Sequence, residues 1–212
     1  MSVNGSLVER LLIWIRTLRQ AAFELKAWRA KHVLERGVGV RVVGPIRIWA
    51  ACGSRICLGD NVAIVSTSSR NSLEARGPTI LRTLAAGACI SIGSDTGMTS
   101  ATISAMRRIE VGSRVLIGAG VLITDSDHHL VDLEDVSLRR YSGLPSALEG
   151  DDVIIGDDVF IGARSIVLKG SRIGSGSVIG AGSVVSGSIP PHCVAAGSPC
   201  RLIRSLRPDI PE

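Results

Sequence analysis

Aliphatic residues recur every six positions through the C-terminal part of this chain. Ile155, Ile161, Val167, Ile173, Ile179 and Val185 are each six apart. A small or polar residue usually follows each one. Ser, Val or another small residue holds the fifth place of each unit. Neither the helical period of about 3.6 nor the strand period of about 2 produces this spacing. A six-residue period marks a hexapeptide solenoid, in which each unit is one short strand and one bend. Three units close a triangular coil of eighteen residues with its aliphatic side chains inward. Stacked coils then pair as parallel strands at about 4.8 Å.

The same register occurs upstream. Val40, Ile46, Cys52, Leu58 and Ile64 are six apart, as are Val111, Ile117 and Ile123. It is weaker at Ile80, Ala86, Ile92 and Met98. Gly, Asp and Asn at the bends suit tight turns, because they tolerate positive φ better than other residues. Aromatic residues make up only 3% of the chain, as a narrow prism with no room for rings requires. The expected fold class is therefore an all-β solenoid. Two stretches break the count. Residues 66–78 are polar and read as a loop or an imperfect coil. Residues 127–150 are a longer insertion, and solenoids carry insertions on one face, often the binding face. The resulting division is a basic amphipathic helical segment at 1–36, a β-helix at 37–206 interrupted by 127–150, and a tail at 207–212.

The N-terminal segment has seven Lys or Arg against three Glu, and Leu7, Leu11, Trp14, Leu18, Ala21, Leu25 and Trp28 recur at spacings of four and three. This pattern predicts one or two amphipathic helices with a basic outer face. The apolar stripe has three possible uses: capping the open end of the solenoid, packing on a neighbouring subunit, or peripheral contact with an anionic membrane. Nucleic acid is not an expected partner, since the basic charge is confined to this appendage and no binding motif is present. The apolar patch Leu11–Ile15 is cut short by Arg16, and no run reaches transmembrane length. A cytoplasmic location is expected, at the inner face of the membrane if the segment docks there. The five cysteines show no CxxC spacing and no disulfide framework. Cys52 holds an inward register position, which predicts a buried thiol.

Four histidines are available for chemistry: His32, His128, His129 and His192. His32 lies in the helical appendage, and His192 follows Pro190-Pro191 at the exit from the last coil. His128 and His129 sit in ITDSDHH, where a regular coil gives way to the insertion, with Asp125 and Asp127 beside them. An imidazole near neutral pKa, oriented by a carboxylate, is a candidate general base. On an extended segment the two histidines face opposite ways, so they cannot share a metal ion. A histidine flanked by acids could bind a metal. A metal-dependent hydratase on such a solenoid would want three histidines with an HxxxxH pair, and that pair is absent, so no metal is expected. GSVIG and GAGSV are repeat units rather than a nucleophile elbow. A surface histidine pair without a role is the plain alternative.

The stretch after the insertion reads VIIGDDVFIGARSIVLKGSRIGSGSVIGAGSVVSGSIPPHCVAAGSPCRLIR. It resembles the C-terminal half of the galactoside, maltose and polysaccharide O-acetyltransferases, within the hexapeptide-repeat acyltransferases. The likeness runs over roughly residues 90–206. Such enzymes carry a histidine before an extended loop, then an IG-x-x-V-W-IG segment, and end in IPP, an AG-x-P turn and a basic residue. The resemblance implies a left-handed parallel β-helix, although right-handed crossovers are the rule elsewhere. It also implies a homotrimer with sites between subunits, and acetyl-CoA as co-substrate. His128 aligns with the family's catalytic histidine, and Asp125 or Asp127 would orient it or grip the acceptor. His129, Arg139, Arg140 and Tyr141 are candidates for acceptor binding. Gly162, Ala163, Gly180 and Ala181 match the small residues along the CoA groove, and tight turns alone would also explain them. Arg201 and Arg204 match the basic tail near the CoA phosphates. Phe160 replaces the usual tryptophan, and Gly187 stands where small-sugar enzymes often have lysine. The implied reaction is acetyl transfer to a sugar hydroxyl in surface polysaccharide or lipopolysaccharide assembly. Serine, an antibiotic or an amino sugar are other acceptors. A catalytically silent scaffold is the reading from a different class.

Overall fold

The computed structural model describes residues 33–67, 73 and 77–206. The proposed helical segment lies outside the described residues except at its end, and so does the tail at 207–212. The strands, numbered along the chain, form three sheets. The first contains β1 (Leu34–Arg36), β4 (Arg55–Leu58), β7 (Cys89–Ile92), β10 (Arg108–Val111), β13 (Val153–Ile155), β16 (Arg172–Ile173) and β19 (Ser188–Ile189). The second contains β2 (Arg41–Val43), β5 (Ala63–Val65), β8 (Gly97–Thr99), β11 (Leu116–Ile117), β14 (Phe160–Ile161), β17 (Val178–Ile179), β20 (Cys193–Ala196) and β21 (Arg201–Ser205). The third contains β3 (Ile46–Trp49), β6 (Thr79–Thr83), β9 (Thr102–Ala105), β12 (Leu122–Thr124), β15 (Ile166–Val167) and β18 (Val184–Val185). The chain visits the sheets in rotation, and each strand pairs in parallel with its counterpart one coil away. The first strand begins at Leu34, so the β-helix starts ahead of the boundary expected at residue 37.

The six-residue period builds the core. Ile155, Ile161 and Val167 stack directly on Ile173, Ile179 and Val185, and all six are buried. Each fully buried Ile contributes roughly 1.5–3 kcal/mol, but only when a neighbouring coil covers it. The fifth place of each unit also faces inward. Val153, Val159, Ser165, Ser171, Ser177 and Ser183 are all buried there. The serine hydroxyls are satisfied by main-chain carbonyls: Ser165 donates to Gly180 at 3.0 Å, Ser171 to Val185 at 3.1 Å and Ser177 to Pro190 at 2.7 Å. Small size admits them to the core, and these bonds offset the cost of burying a hydroxyl.

In the N-terminal coils the count departs from the sequence expectation. Cys52 is exposed. The corner between β3 and β4 is longer than a regular bend, and buried Ser54 takes the inward place. Its hydroxyl lies 2.6 Å from the Ala51 carbonyl and 2.6 Å from Thr83 Oγ1. Further along, Leu81 is fully buried, whereas Ile80 is half-buried and Ala86 is exposed. The register slips by one because Leu81 pairs with Ile48 and Ile103 in the third sheet. The polar break leaves and rejoins the coil at a buried pair, Ser66 and Thr79, whose hydroxyls are 2.8 Å apart.

The insertion contains one 3₁₀ helix, Val136–Tyr141, capped by Asp135, which accepts from Ser137 N at 2.9 Å. At the far end the chain reverses. β21 runs antiparallel to β20 and closes the second sheet.

Candidate active site

The third sheet delivers the chain to the site. β12 ends at Thr124, and the next residue, Asp125, is almost completely buried. Its carboxylate accepts three main-chain N–H groups: Met106 at 2.6 Å, Arg107 at 2.8 Å and Arg108 at 2.7 Å. Asp125 therefore binds the corner between β9 and β10 of the preceding coil. No hydrogen bond joins it to the His128 ring, and its three amide bonds fix the backbone from which the histidines depart. Asp127 is likewise occupied elsewhere, pairing with Lys169 at 2.6 Å. Lys169 also approaches Asp151 at 3.8 Å. The hydrogen bond to Asp127, supported by the Asp151 charge, raises the lysine above its ordinary pKa. This cluster clamps the two ends of the insertion to one another.

The two histidines do part company, but not for the reason expected. The segment is bent rather than extended, and His128 has φ +60°. That left-handed residue turns the chain. Its N–H donates to Ser126 Oγ at 3.1 Å, and its Nε2 lies 3.4 Å from Thr124 Oγ1. The His128 ring thus folds back over the end of the third sheet. His129 is exposed and lines a cavity of about 300 Å³ under the insertion, with Asp125, Asp127, Leu130, Pro145, Leu148 and Lys169 among its other walls.

The other candidates are dispersed. Arg139 reaches back within the insertion, donating to the carbonyls of Leu130 at 3.2 Å and Val131 at 3.0 Å. These bonds fasten the loop, and the side chain is exposed. Arg140 lies 5.0 Å from the Tyr141 ring centroid, and both residues are exposed. His192 is a corner residue with φ +54°, and it packs over Gly176. His32 lies outside the described residues.

The small residues expected along a cofactor groove do line one prism edge, between the second and third sheets. Gly182 N donates to Ala163 O at 2.9 Å, and Arg164 N donates to Ala119 O at 2.8 Å, so these bends stack coil upon coil. Gly162 is required by that stacking. A Cβ there would lie 2.4 Å from Ala181 N and 2.7 Å from Ala181 Cα. Ala163 and Ala181 leave the edge shallow. Arg201 and Arg204 do not sit on a free tail. They belong to β21, where Arg201 Nη1 donates to the Cys200 carbonyl at 3.0 Å, and both side chains are exposed. Sequence reading missed Arg164. It has φ +61° at a bend position that glycine holds in the adjoining coils, Gly120 and Gly182. The available signal was arginine in IGARSI where the next coil's IGAGSV has glycine, a place whose positive φ favours glycine. Among the described residues, no group of three or more His, Cys, Asp or Glu side chains is placed to hold a metal ion.

Comparison with known proteins places the fold. The bacterial transferase hexapeptide (six repeats) family matches residues 152–187. No curated protein matches the chain by sequence. Among solved structures, a maltose O-acetyltransferase from Clostridium difficile is 24% identical, with TM-score 0.55 over 96% of this chain and 90% of that one. A hexapeptide-repeat-containing acetyltransferase from Vibrio cholerae is 20% identical, with TM-score 0.54 over 96% and 95%. The N-acyltransferase AntD from Bacillus cereus, solved with dTDP and 3-hydroxybutyryl-CoA, is 19% identical, with TM-score 0.59 over 86% and 88%. The chain carries bacterial-transferase hexapeptide repeats and shares its fold, the left-handed parallel β-helix, with these hexapeptide-repeat acyltransferases.

Proposed function

We propose that this protein is an acetyl-CoA-dependent O-acetyltransferase that acts on a sugar hydroxyl in surface polysaccharide or lipopolysaccharide assembly, with His128 as general base. The observation that carries the reading is the placement of His128. The imidazole stands where a regular coil hands over to the insertion, and it is turned back over the end of the third sheet. As the acceptor hydroxyl attacks the thioester carbonyl, the imidazole takes its proton. A main-chain N–H steadies the oxyanion. The tetrahedral intermediate then expels the CoA thiolate, which recovers the proton from the imidazolium. The shallow edge of Ala163, Gly180 and Ala181 suits close approach of a pantetheine arm. Arg164 on that edge, with Arg201 and Arg204 on β21, offers exposed cations for its phosphates. An apolar strip on the second sheet supports a homotrimer: Leu116 and Phe160 stack on its outer face, 57% and 44% exposed.

Thiol release from acetyl-CoA, screened against sugars and nucleotide sugars, tests the reading. His128→Ala should lower turnover about 10²–10⁴-fold with CoA affinity and fold retained. His129→Ala should cost less. A reversed order would reassign the base to the cavity side, and no thiol release with any acceptor would end the proposal.

A further inference from the structure

The corner after β15 is longer than its counterpart one coil on. Four residues, 168–171, join β15 to β16, whereas two, 186–187, join β18 to β19. The longer corner carries Lys169 to the insertion, where its Nζ lies 2.6 Å from Asp127 Oδ2 and 3.8 Å from Asp151 Oδ1. The backbone around Lys169 is fixed by the next coil and by the returning end of the insertion. Leu168 N donates to Val185 O at 2.9 Å, Gly170 N to Asp151 O at 2.8 Å and Ser171 Oγ to Val185 O at 3.1 Å. The hydrogen bond to Asp127 and the charges of Asp151 and Asp132 hold the ammonium above its ordinary pKa, so it stays charged.

Asp127 immediately precedes His128, whose φ is +60°. A residue with a side chain keeps this conformation only where its surroundings hold it there. Part of that support comes from the bend itself. His128 N donates to Ser126 Oγ at 3.1 Å, and Thr124 Oγ1 lies 3.4 Å from His128 Nε2. The Asp127–Lys169 pair is different, because it ties the bend to another coil. Both of its side chains are half-buried, and such a pair adds little to the stability of a whole domain. Its effect is local. It fixes the direction in which the chain leaves the third sheet at His128.

We propose that Lys169 is a positioning residue for the His128 imidazole, acting through Asp127. The role rests on His128 as the acetyl-transfer base. A general base works only within hydrogen-bond reach of the proton it takes, so a small displacement of the bend slows the transfer. Lys169 is engaged with two carboxylates of the insertion rather than held out for the phosphates of CoA. Its loss therefore acts on turnover and not on cofactor binding.

Thiol-release kinetics and histidine NMR on the full-length protein test the role. Lys169→Ala should lower kcat at least about threefold and leave KM for acetyl-CoA within about twofold, since only the base is displaced. Lys169→Arg should return kcat to within about twofold of the parent, because a guanidinium can keep the charged pair. Asp127→Asn should reproduce the effect of Lys169→Ala. The double variant Asp127→Asn/Lys169→Ala should be no slower than either single one, as expected of two residues acting as a unit. The His128 ring signal, identified by its loss in His128→Ala, should move in Lys169→Ala, while the His192 signal stays in place. Unchanged kcat in Lys169→Ala, or single effects that multiply in the double variant, would overturn the proposal. A raised KM for acetyl-CoA with unchanged kcat would overturn it too, by assigning Lys169 to the cofactor. A moved His128 signal in a protein that releases no thiol with any acceptor would leave the positioning in place and refute the acetyl-transfer reading. An unmoved signal with thiol release that still depends on His128 would do the reverse.

Discussion

Replacing Asp125 with alanine separates a structural carboxylate from a catalytic one. The side chain is 1% exposed and accepts three main-chain N–H groups from Met106, Arg107 and Arg108. A hydrogen bond to a charged acceptor contributes about 1.5–3 kcal/mol. The Met106 amide is buried and would lose this in full, whereas water can reach the part-buried amides of Arg107 and Arg108. Counting those two at about 1 kcal/mol each gives a total near 4 kcal/mol for Asp125→Ala. For a domain of this size each kcal/mol shifts the melting temperature by about 2–4 °C, so the fall should be about 8–16 °C. Scanning calorimetry measures it. Asp127→Asn is the control. It breaks a half-exposed ion pair with Lys169 worth at most about 1 kcal/mol, and its melting temperature should stay within a few degrees of the parent. If Asp125→Ala instead melted within about 2 °C of the parent while turnover collapsed, the carboxylate would be serving His128 and the reasoning from its three amides would fail.

Gly162→Ala should destabilise the prism by about 1–3 kcal/mol, because its Cβ would meet the Ala181 backbone at 2.4 Å and no flexible side chain can give way; an unchanged urea midpoint would contradict the stacking. The thiols should alkylate in a fixed order. Cys57 is pushed up to about 11, first by burial and then by Glu35, so at pH 8 its thiolate fraction falls on the order of a hundredfold below that of an ordinary thiol. Exposed Cys52 should therefore react with iodoacetamide first. Labelling of Cys57 should rise steeply toward pH 10, because its thiolate forms only as pH approaches the raised pKa. Mass spectrometry of the labelled peptides, with Cys57 modified first at pH 8, would refute the ordering.

The sequence alone determined the parts of the fold that repeat. An aliphatic residue at every sixth place, with a small one four later, is a condition that each coil meets within itself. Ile155 through Val185 therefore reported the three-sided prism before any contact between coils was known. The bends were legible for the same reason, since Gly, Asp and Asn declare positive φ locally. Only the tertiary structure decided what depends on neighbouring coils. Whether Ile80 or Leu81 points inward is set by the strands on either side, and Cys52 is exposed because Ser54 and Thr83 pair across a long corner. Asp125 looked like a partner for His128 because the two lie close in the chain, but its amides come from a corner nearly twenty residues earlier. His128 and His129 diverge through a left-handed bend that no period announces. Trp49 and Arg82 are far apart in sequence and meet only because coils of unequal length bring them into register. Periodicity records what each turn must satisfy by itself, whereas the site is made from pairings between turns, and the irregular coils that set those pairings leave no period to read.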